Sequence, residues 1–296
     1  MPSHAPELRI QRARPLLGTN VSIRVEGMEE RDALERIEAG FAEIADIHQL
    51  MSFHEPSSDI SRLNCLAATE PVPVDRRTIA VLRQALETST ASDGVFDITI
   101  ARALVDWGYL PRPDRAPDAD PQASWRDITL LDDACVRFAK PLWIDLGGIA
   151  KGYAVDRAVE RMALGETVQC CVNAGGDLRL TGPRAERILL RDTGSKGEDV
   201  PMIELENGSL ASSSGRASSR TVASRRVGPH LNAMTHGAVG SRSFVSVAAD
   251  SCMVADALSK VVLALGASAS DSLRRFGATA YLHTPQKGWR ILGGTA

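Results

Sequence analysis

Eight consecutive residues, Asp145-Leu146-Gly147-Gly148-Ile149-Ala150-Lys151-Gly152, place an acid, two adjacent glycines and a base within a single turn. Adjacent glycines let a backbone approach a ligand closely, and a lysine beside a helix N-terminus suits a phosphate. The same residues also fit a plain strand-to-helix turn capped by Asp145, and a glycine pair alone does not separate the two readings. Asn173-Ala174-Gly175-Gly176-Asp177 repeats the theme at the end of the next predicted strand, where a parallel neighbour would share the ligand. Upstream, Ser92-Asp93-Gly94-Val95-Phe96-Asp97 joins an aromatic ring to two acids, a set able to hold a planar ring. Phe96 suits a core equally well. His230, after an Arg-rich segment, has the chemistry for proton transfer or phosphate binding, and equally that of a solvated histidine. Asp256 lies among Met253, Leu258, Val261 and Val262 early in an apolar segment. There it either complements a helix dipole or offers oxygen to a hard divalent cation.

These residues must be positioned by the elements around them. Residues 19–25 alternate as a half-buried strand, and Leu34, Ile37, Phe41, Ile44, Ile47 and Met51 then recur at helical spacing. A second helix is predicted over 77–90. The Pro- and Asp-rich stretch from Pro111 to Gln122 is a surface loop or linker. ITLLDD and ACVRF predict a small hairpin. From Trp143 the pattern reads strand, glycine turn, helix from Ala150 to Met162, strand from Cys170 to Asn173, then hairpin-like segments at 178–191. Ser212 to Arg226, rich in Ser and Arg, reads as a loop. A strand at 243–249 leads through an N-cap at Ser251 to a helix over 252–265 that Gly266 ends, and ATAYLH and WRILG close the chain as a hairpin. Hairpins interspersed with helices predict an α+β fold.

Composition narrows the function. The chain has 296 residues, 44% hydrophobic and 24% charged, with a net charge of -3, which gives no basic face for nucleic acid. No apolar run approaches the roughly 20 residues of a membrane span. The N-terminal MPSHAPELRIQRARPLLG has no apolar core of a signal peptide, so the expected location is cytoplasmic, or periplasmic if a leader has been removed. Five cysteines without CxxC spacing argue for buried thiols rather than disulfides or zinc. No GxGxxG opens a helix after the first strand, which sets aside a Rossmann-type dehydrogenase.

In order, MSFHEPSSDISRLN, SDGVFDITIARALVDWGY, IDLGGIAKGYAVDRAVE, VNAGGDLRLTG, ASSSG, HLNAMTHG and SVAADSCMVADALSKVVLALG resemble the ApbE family of FAD:protein FMN transferases. The resemblance runs from about Leu17 to Gly266. It implies an N-terminal extension over 1–16, a single domain over 17–296, and mixed or antiparallel sheets with flanking helices in two lobes around a flavin cleft. It also implies magnesium-dependent cleavage of FAD, transfer of FMN to a Thr or Ser of a target flavoprotein, and release of AMP. By position, Leu17, His54, Val95, Phe96, Asp97, Asp145, Lys151 and His230 correspond to flavin-binding residues. The Gly148 carbonyl and Asp256 correspond to metal ligands, and His230 and Asp256 are the candidate catalytic pair.

Three departures bear on this expectation. Lys260 stands where the family commonly has Thr, four residues after the metal-binding Asp, and one helical turn away it can pair with Asp256 and take the cation's place. Ser259 replaces a frequent acid. Ala233, Met234, Thr235 and His236 replace the Asp, Pro, Arg and Thr of HxxDPRTG, and His54 replaces a tyrosine. The alternatives are therefore an FAD pyrophosphatase, or an FAD carrier or scaffold with a degenerate metal site.

Overall fold

The computed structural model describes residues 8–190, 200–215, 219–222, 225–235, 237–239 and 243–294. Its centre is an eight-stranded sheet of β1 (Arg9–Leu16), β2 (Thr19–Glu26), β3 (Gln169–Ala174), β4 (Asp177–Thr181), β5 (Ser209–Ser214), β6 (Phe244–Ala249), β7 (Thr279–Thr284) and β8 (Gly288–Gly293). The strands lie side by side in chain order. Each neighbouring pair is antiparallel, so the α+β expectation holds with a wholly antiparallel main sheet. The parallel neighbour expected at Asn173–Asp177 is corrected by the same register. Gly175 and Gly176 alone link β3 to β4, with Ala174 opposite Asp177, and two residues can only turn a chain back on itself.

Seven helices are described: α1 (Glu30–Met51), α2 (Asp59–Leu66), α3 (Arg76–Ala91), α4 (Ala101–Asp106), α5 (Ala150–Met162), α6 (Cys252–Leu265) and α7 (Ser270–Arg275). The stripe read in the sequence is the buried face of α1, with Ile37, Phe41, Ile44 and Ile47 almost wholly withdrawn from water. α1 packs on α5, α5 on α6, and α6 on β5 and β6. Being covered on several sides explains why α6 is apolar apart from Asp256, Ser259 and Lys260, which pair with polar groups. The stretch Cys252–Arg275 matches a membrane span by length and composition alone, and its apolar side chains are largely those of this core helix.

Two local contacts fix α5 against α6. Gly152 lets the helices nearly touch, since a β-carbon there would lie 2.2 Å from the Cys252 carbonyl oxygen. One turn on, the Asp156 carboxylate accepts the Cys252 and Met253 N–H groups, each at 2.9 Å, and an Arg179 N–H at 2.8 Å. Asp156 thus satisfies donors that the start of α6 cannot satisfy internally, alongside Ser251, whose hydroxyl accepts from Val254.

Several boundaries depart from the sequence reading. Residues 9–16, expected within an N-terminal extension, form edge strand β1; its exposed Arg9, Gln11, Arg12 and Arg14 conceal the strand pattern and suit an edge. No strand forms at Trp143. Asn64 takes the place of a strand partner, accepting the Ile144 N–H at 2.8 Å and donating to the Ile144 carbonyl at 3.2 Å. Ser212–Ser214, expected in a loop, belong to β5, where hydroxyl pairing makes a polar strand compatible with burial. The hairpin-like segments read at 178–191 enter two separate antiparallel pairings: β4 pairs with β3 and β5, and Glu186–Leu189 pairs with Met202–Leu205. The small hairpin of Ile128–Leu130 and Cys135–Phe138 forms as expected.

Candidate functional site

The α5–α6 contact carries a buried cluster of four charges. Lys151, in the first turn of α5, pairs with Asp177 at the start of β4, and its Nζ lies 3.7 Å from Asp256 Oδ2. Asp256 Oδ2 also accepts the Gly152 N–H at 3.1 Å, while Oδ1 pairs with Lys260 one turn along α6. Asp177 Oδ1 accepts the Ser212 N–H at 3.3 Å. Both carboxylates are out of water, at 0% and 1% side-chain exposure for Asp256 and Asp177, whereas the two lysines reach the surface. Two acids beneath two ammoniums form a pedestal that presents positive charge.

Two clefts meet above this pedestal. One, about 330 Å³, is lined by Leu17, Met51, Phe53, His54, Leu110 and Asp145, and so is mostly apolar. The other, about 480 Å³, is the more polar of the two, bringing Asn173, Ser212, Ser213, His230, Lys151 and Lys260 together with the apolar Leu178, Ile188, Leu190, Leu210 and Phe244. Gly147 and Lys151 line both. The joined shape suits a ligand with a planar apolar end and an anionic part. Leu17 sits at φ +55° in the two-residue turn between β1 and β2, a conformation unusual for a large side chain. A third and larger cavity, about 890 Å³, contains Asp97, Arg102, Trp125 and Met234 and shares no lining residue with the other two. Its size is no argument against the smaller pair, which holds the charge cluster.

Burial and neighbouring charge set the protonation of these groups. Burial opposes the Lys151 ammonium, yet Asp256 and Asp177 outweigh it and raise its pKa. Burial likewise opposes the Asp256 carboxylate, yet Lys151 and Lys260 hold its pKa below the usual range. Asp177 is pushed up, by burial and then by the Asp256 charge, against the pull of the lysines. Burial, and next the charges of Lys260 and Lys151, lower the His230 pKa to about 3, so its imidazole is neutral at physiological pH. The Asp145 carboxyl is raised by burial, which outweighs the Gly147 N–H it accepts at 3.1 Å.

The magnesium implied by the sequence does not fit this donor set. Both Asp256 oxygens already face cations. The Lys260 stem also runs beside Gly148, where a β-carbon would lie 3.8 Å from Lys260 Cγ and Cε. The ammonium therefore occupies the approach between the two expected ligands. A divalent ion about 4 Å from it would meet a repulsion of about 8 kcal/mol at an effective dielectric of about 20. Among the described residues, no group of three or more His, Cys, Asp or Glu is placed to hold a metal. Gly148 and Asp256, the metal ligands that the resemblance implies, thus face an ammonium in this structure.

The structure brings together Leu17, His54, Asp145, Lys151 and His230, which line the paired clefts. Phe96 is buried behind Gly148, its ring 3.5 Å from where a β-carbon there would stand, and so shapes the turn from the core side. The Val95 carbonyl accepts the Ala233 N–H at 3.3 Å. Asp97 lies apart from the cluster, accepting the Thr99 and Trp125 N–H groups at 2.8 and 3.1 Å. Asp256 lines neither cleft and acts through the lysines it holds. His236 falls outside the described residues. Residue types alone did not single out Asp156 and Asn64, which orient the site's supports; the polar seryl run of ASSSG was the visible trace of the cleft wall on β5.

Comparison with known proteins bears on this arrangement. The sequence pattern of the ApbE family matches residues 17–282. FAD:protein FMN transferases of Vibrio cholerae and Haemophilus influenzae are each 27% identical to this chain, over 147 and 189 residues. Those matches take in 47% and 57% of this chain and 44% and 55% of the relatives, so the chain aligns with about half of their length. The Escherichia coli transferase is 22% identical over 303 residues, 96% of this chain and 86% of that one. Among solved structures, the ApbE protein of Thermotoga maritima superposes with a TM-score of 0.83 at 26% identity, covering 97% of both chains. The Pseudomonas stutzeri flavinyl transferase gives 0.78 at 20% identity, covering 98% of this chain and 95% of that one, a likeness of fold.

Proposed function

The chain belongs to the ApbE family, and from that premise we propose that it is an FAD:protein FMN transferase, moving FMN from FAD to a Thr or Ser of a target flavoprotein. The observation that carries the reading is the meeting at Gly147 and Lys151 of an apolar cleft and a more polar one that holds Lys151, Lys260 and His230, above buried Asp177 and Asp256. Leu17, Met51, Phe53 and Leu110 offer the isoalloxazine an apolar wall, with His54 and Asp145 at its polar edge. Lys151 receives the pyrophosphate as a pre-positioned positive charge. Asp256 holds Lys151 and Lys260 in place.

In the transfer, the acceptor hydroxyl oxygen bonds to the FMN phosphorus as the bond from that phosphorus to the bridging oxygen breaks. AMP leaves with the bonding pair and the bridging oxygen. The hydroxyl proton passes to His230, which is neutral and lines the polar cleft. A pyrophosphate beside His230 offsets the two lysine charges and makes the imidazole a stronger base. No step is routed through a metal, because the donor set does not fit one.

The decisive experiment mixes protein, FAD and a peptide carrying a Thr-containing acceptor sequence, and follows AMP and covalent FMN by mass spectrometry. Flavinylated peptide and AMP in equal amounts are expected. AMP from water attack alone makes the chain a pyrophosphatase, and bound FAD without either product makes it a carrier. His230→Ala should lower the transfer rate by about a hundredfold, the usual scale of a general base; undiminished transfer removes His230 from that role.

A further inference from the structure

We propose that Lys260 and Lys151 form a metal-free site for a pyrophosphate diester, with the Lys260 ammonium standing in for the divalent cation. This rests on the flavin reading for the identity of the diester, and on the charge cluster for everything else. Lys260 pairs with Asp256 one turn back along α6 and lies against Gly148, filling the approach between the two expected metal ligands. An ammonium has three N–H donors, and the pair with Asp256 uses one. Lys151 and Lys260 both line the polar cleft, so their remaining donors are available to an anion there.

The rest of the cleft is consistent with such an anion. The two ammoniums offset Asp177 and Asp256, and His230 is neutral, so the resident groups leave no net negative charge to repel a phosphate. Ser212 and Ser213 add hydroxyls along β5, held by Ser246 and Ser259, each pair at 2.8 Å. The Ser213–Ser259 pair ties β5 to the helix that carries Lys260, and Ser259 Oγ donates in turn to the Asp256 carbonyl within that helix at 2.7 Å. A fixed ammonium carries less charge than a divalent ion, yet it needs no recruitment from solution and no dehydration of a bound metal.

The test is titration calorimetry of FAD binding to the whole chain, in EDTA and then in millimolar magnesium. Affinities equal within about twofold are expected. Affinity at least about tenfold higher with magnesium overturns the proposal and leaves the flavin reading standing. If FAD binds in neither condition, the flavin reading falls, and ADP-ribose, a pyrophosphate diester without a flavin, decides the cation site. ADP-ribose bound in EDTA supports the site; no binding in EDTA overturns it. In Lys260→Thr, FAD affinity in EDTA should drop about tenfold or more, and magnesium should restore it. An undiminished affinity in that variant, shown folded by its melting transition, also overturns the proposal. The native measurement decides the question even if the variant fails to fold.

Discussion

Gly147-Gly148 and Gly175-Gly176 look interchangeable in sequence, each pair set beside an aspartate at the end of an apolar run. The fold gives them different work. Gly175 and Gly176 lie at φ +65° and +103°, where a hairpin between antiparallel strands demands left-handed backbone. Gly147 and Gly148 have no positive φ, and what they supply is room. Gly147 is exposed on the rim shared by the two clefts, and Gly148 separates Phe96 from the Lys260 stem. Gly152, which completes the first motif, shows a third demand, the approach of two helix backbones. A glycine motif thus states that a side chain is unwelcome, and only the fold says whether conformation, ligand or packing is the reason.

Substitution by alanine separates these demands. The largest loss is expected at Gly152. In an isolated helix Gly→Ala stabilises by about 1 kcal/mol, yet here the β-carbon would come within 2.2 Å of the Cys252 carbonyl oxygen and 2.9 Å of Asp256 Cβ. Neither atom is the end of a flexible side chain, so α5 and α6 must part. A net destabilisation of about 3 kcal/mol is expected in urea denaturation. A neutral or stabilising result would show that the helices are held apart by something other than this glycine. Gly175→Ala should cost about 2 kcal/mol, from the left-handed backbone and from Thr19, whose Oγ1, Cβ and Cγ2 lie 2.4, 3.1 and 3.1 Å from the new carbon. Because Cβ is among them, rotating the Thr19 side chain gives no full relief. A loss below about 0.5 kcal/mol would mean that the turn can change type.

The protonation of His230 gives a comparison of another kind, between a charged pedestal and a neutral neighbour. With its pKa lowered to about 3, against about 6.5 in the unfolded chain, His230 takes up a proton on unfolding at any pH between those values. Its contribution to stability is therefore full above about pH 6.5 and is lost as the pH falls from there toward about 3. His230→Asn should flatten that part of the stability curve, measured as denaturation midpoints from pH 7 to 4. An unaltered acid limb would place His230 in freer contact with water.

Much of this was legible in the sequence because its signals are periodic. α1, α3, α5 and α6 follow apolar spacing, and the Ser251 cap and Gly266 stop lie where side-chain chemistry predicts them. The unreadable parts are those where one group substitutes for another. Asn64 replaces a strand partner for Ile144, seryl hydroxyls replace apolar side chains in β5, and arginines disguise β1 as a tail. At the site, the DLGGIAKG run marks the turn where the two clefts meet, and Lys260 stands out as a departure. What spacing did not reveal was that both Asp256 oxygens would already face ammoniums, because that depends on Lys151 arriving from another helix.

The smallest stability effect, and the sharpest test of the contrast, is expected from Gly147→Ala. Its backbone needs no glycine, it is exposed, and the three atoms nearest a new β-carbon among the described residues all belong to the Asp145 carboxylate, the first at 2.9 Å, which can swing aside. Stability should therefore stay within about 0.5 kcal/mol of the native protein. Ligand affinity should not, because the methyl group enters the rim shared by both clefts and displaces the Asp145 carboxylate that lines one of them. A fall of about tenfold in FAD affinity with an unchanged denaturation midpoint is the expected pair of results, read by calorimetry and urea titration. If instead the midpoint falls while affinity holds, the first glycine pair serves the fold as the second does, and the distinction between them collapses.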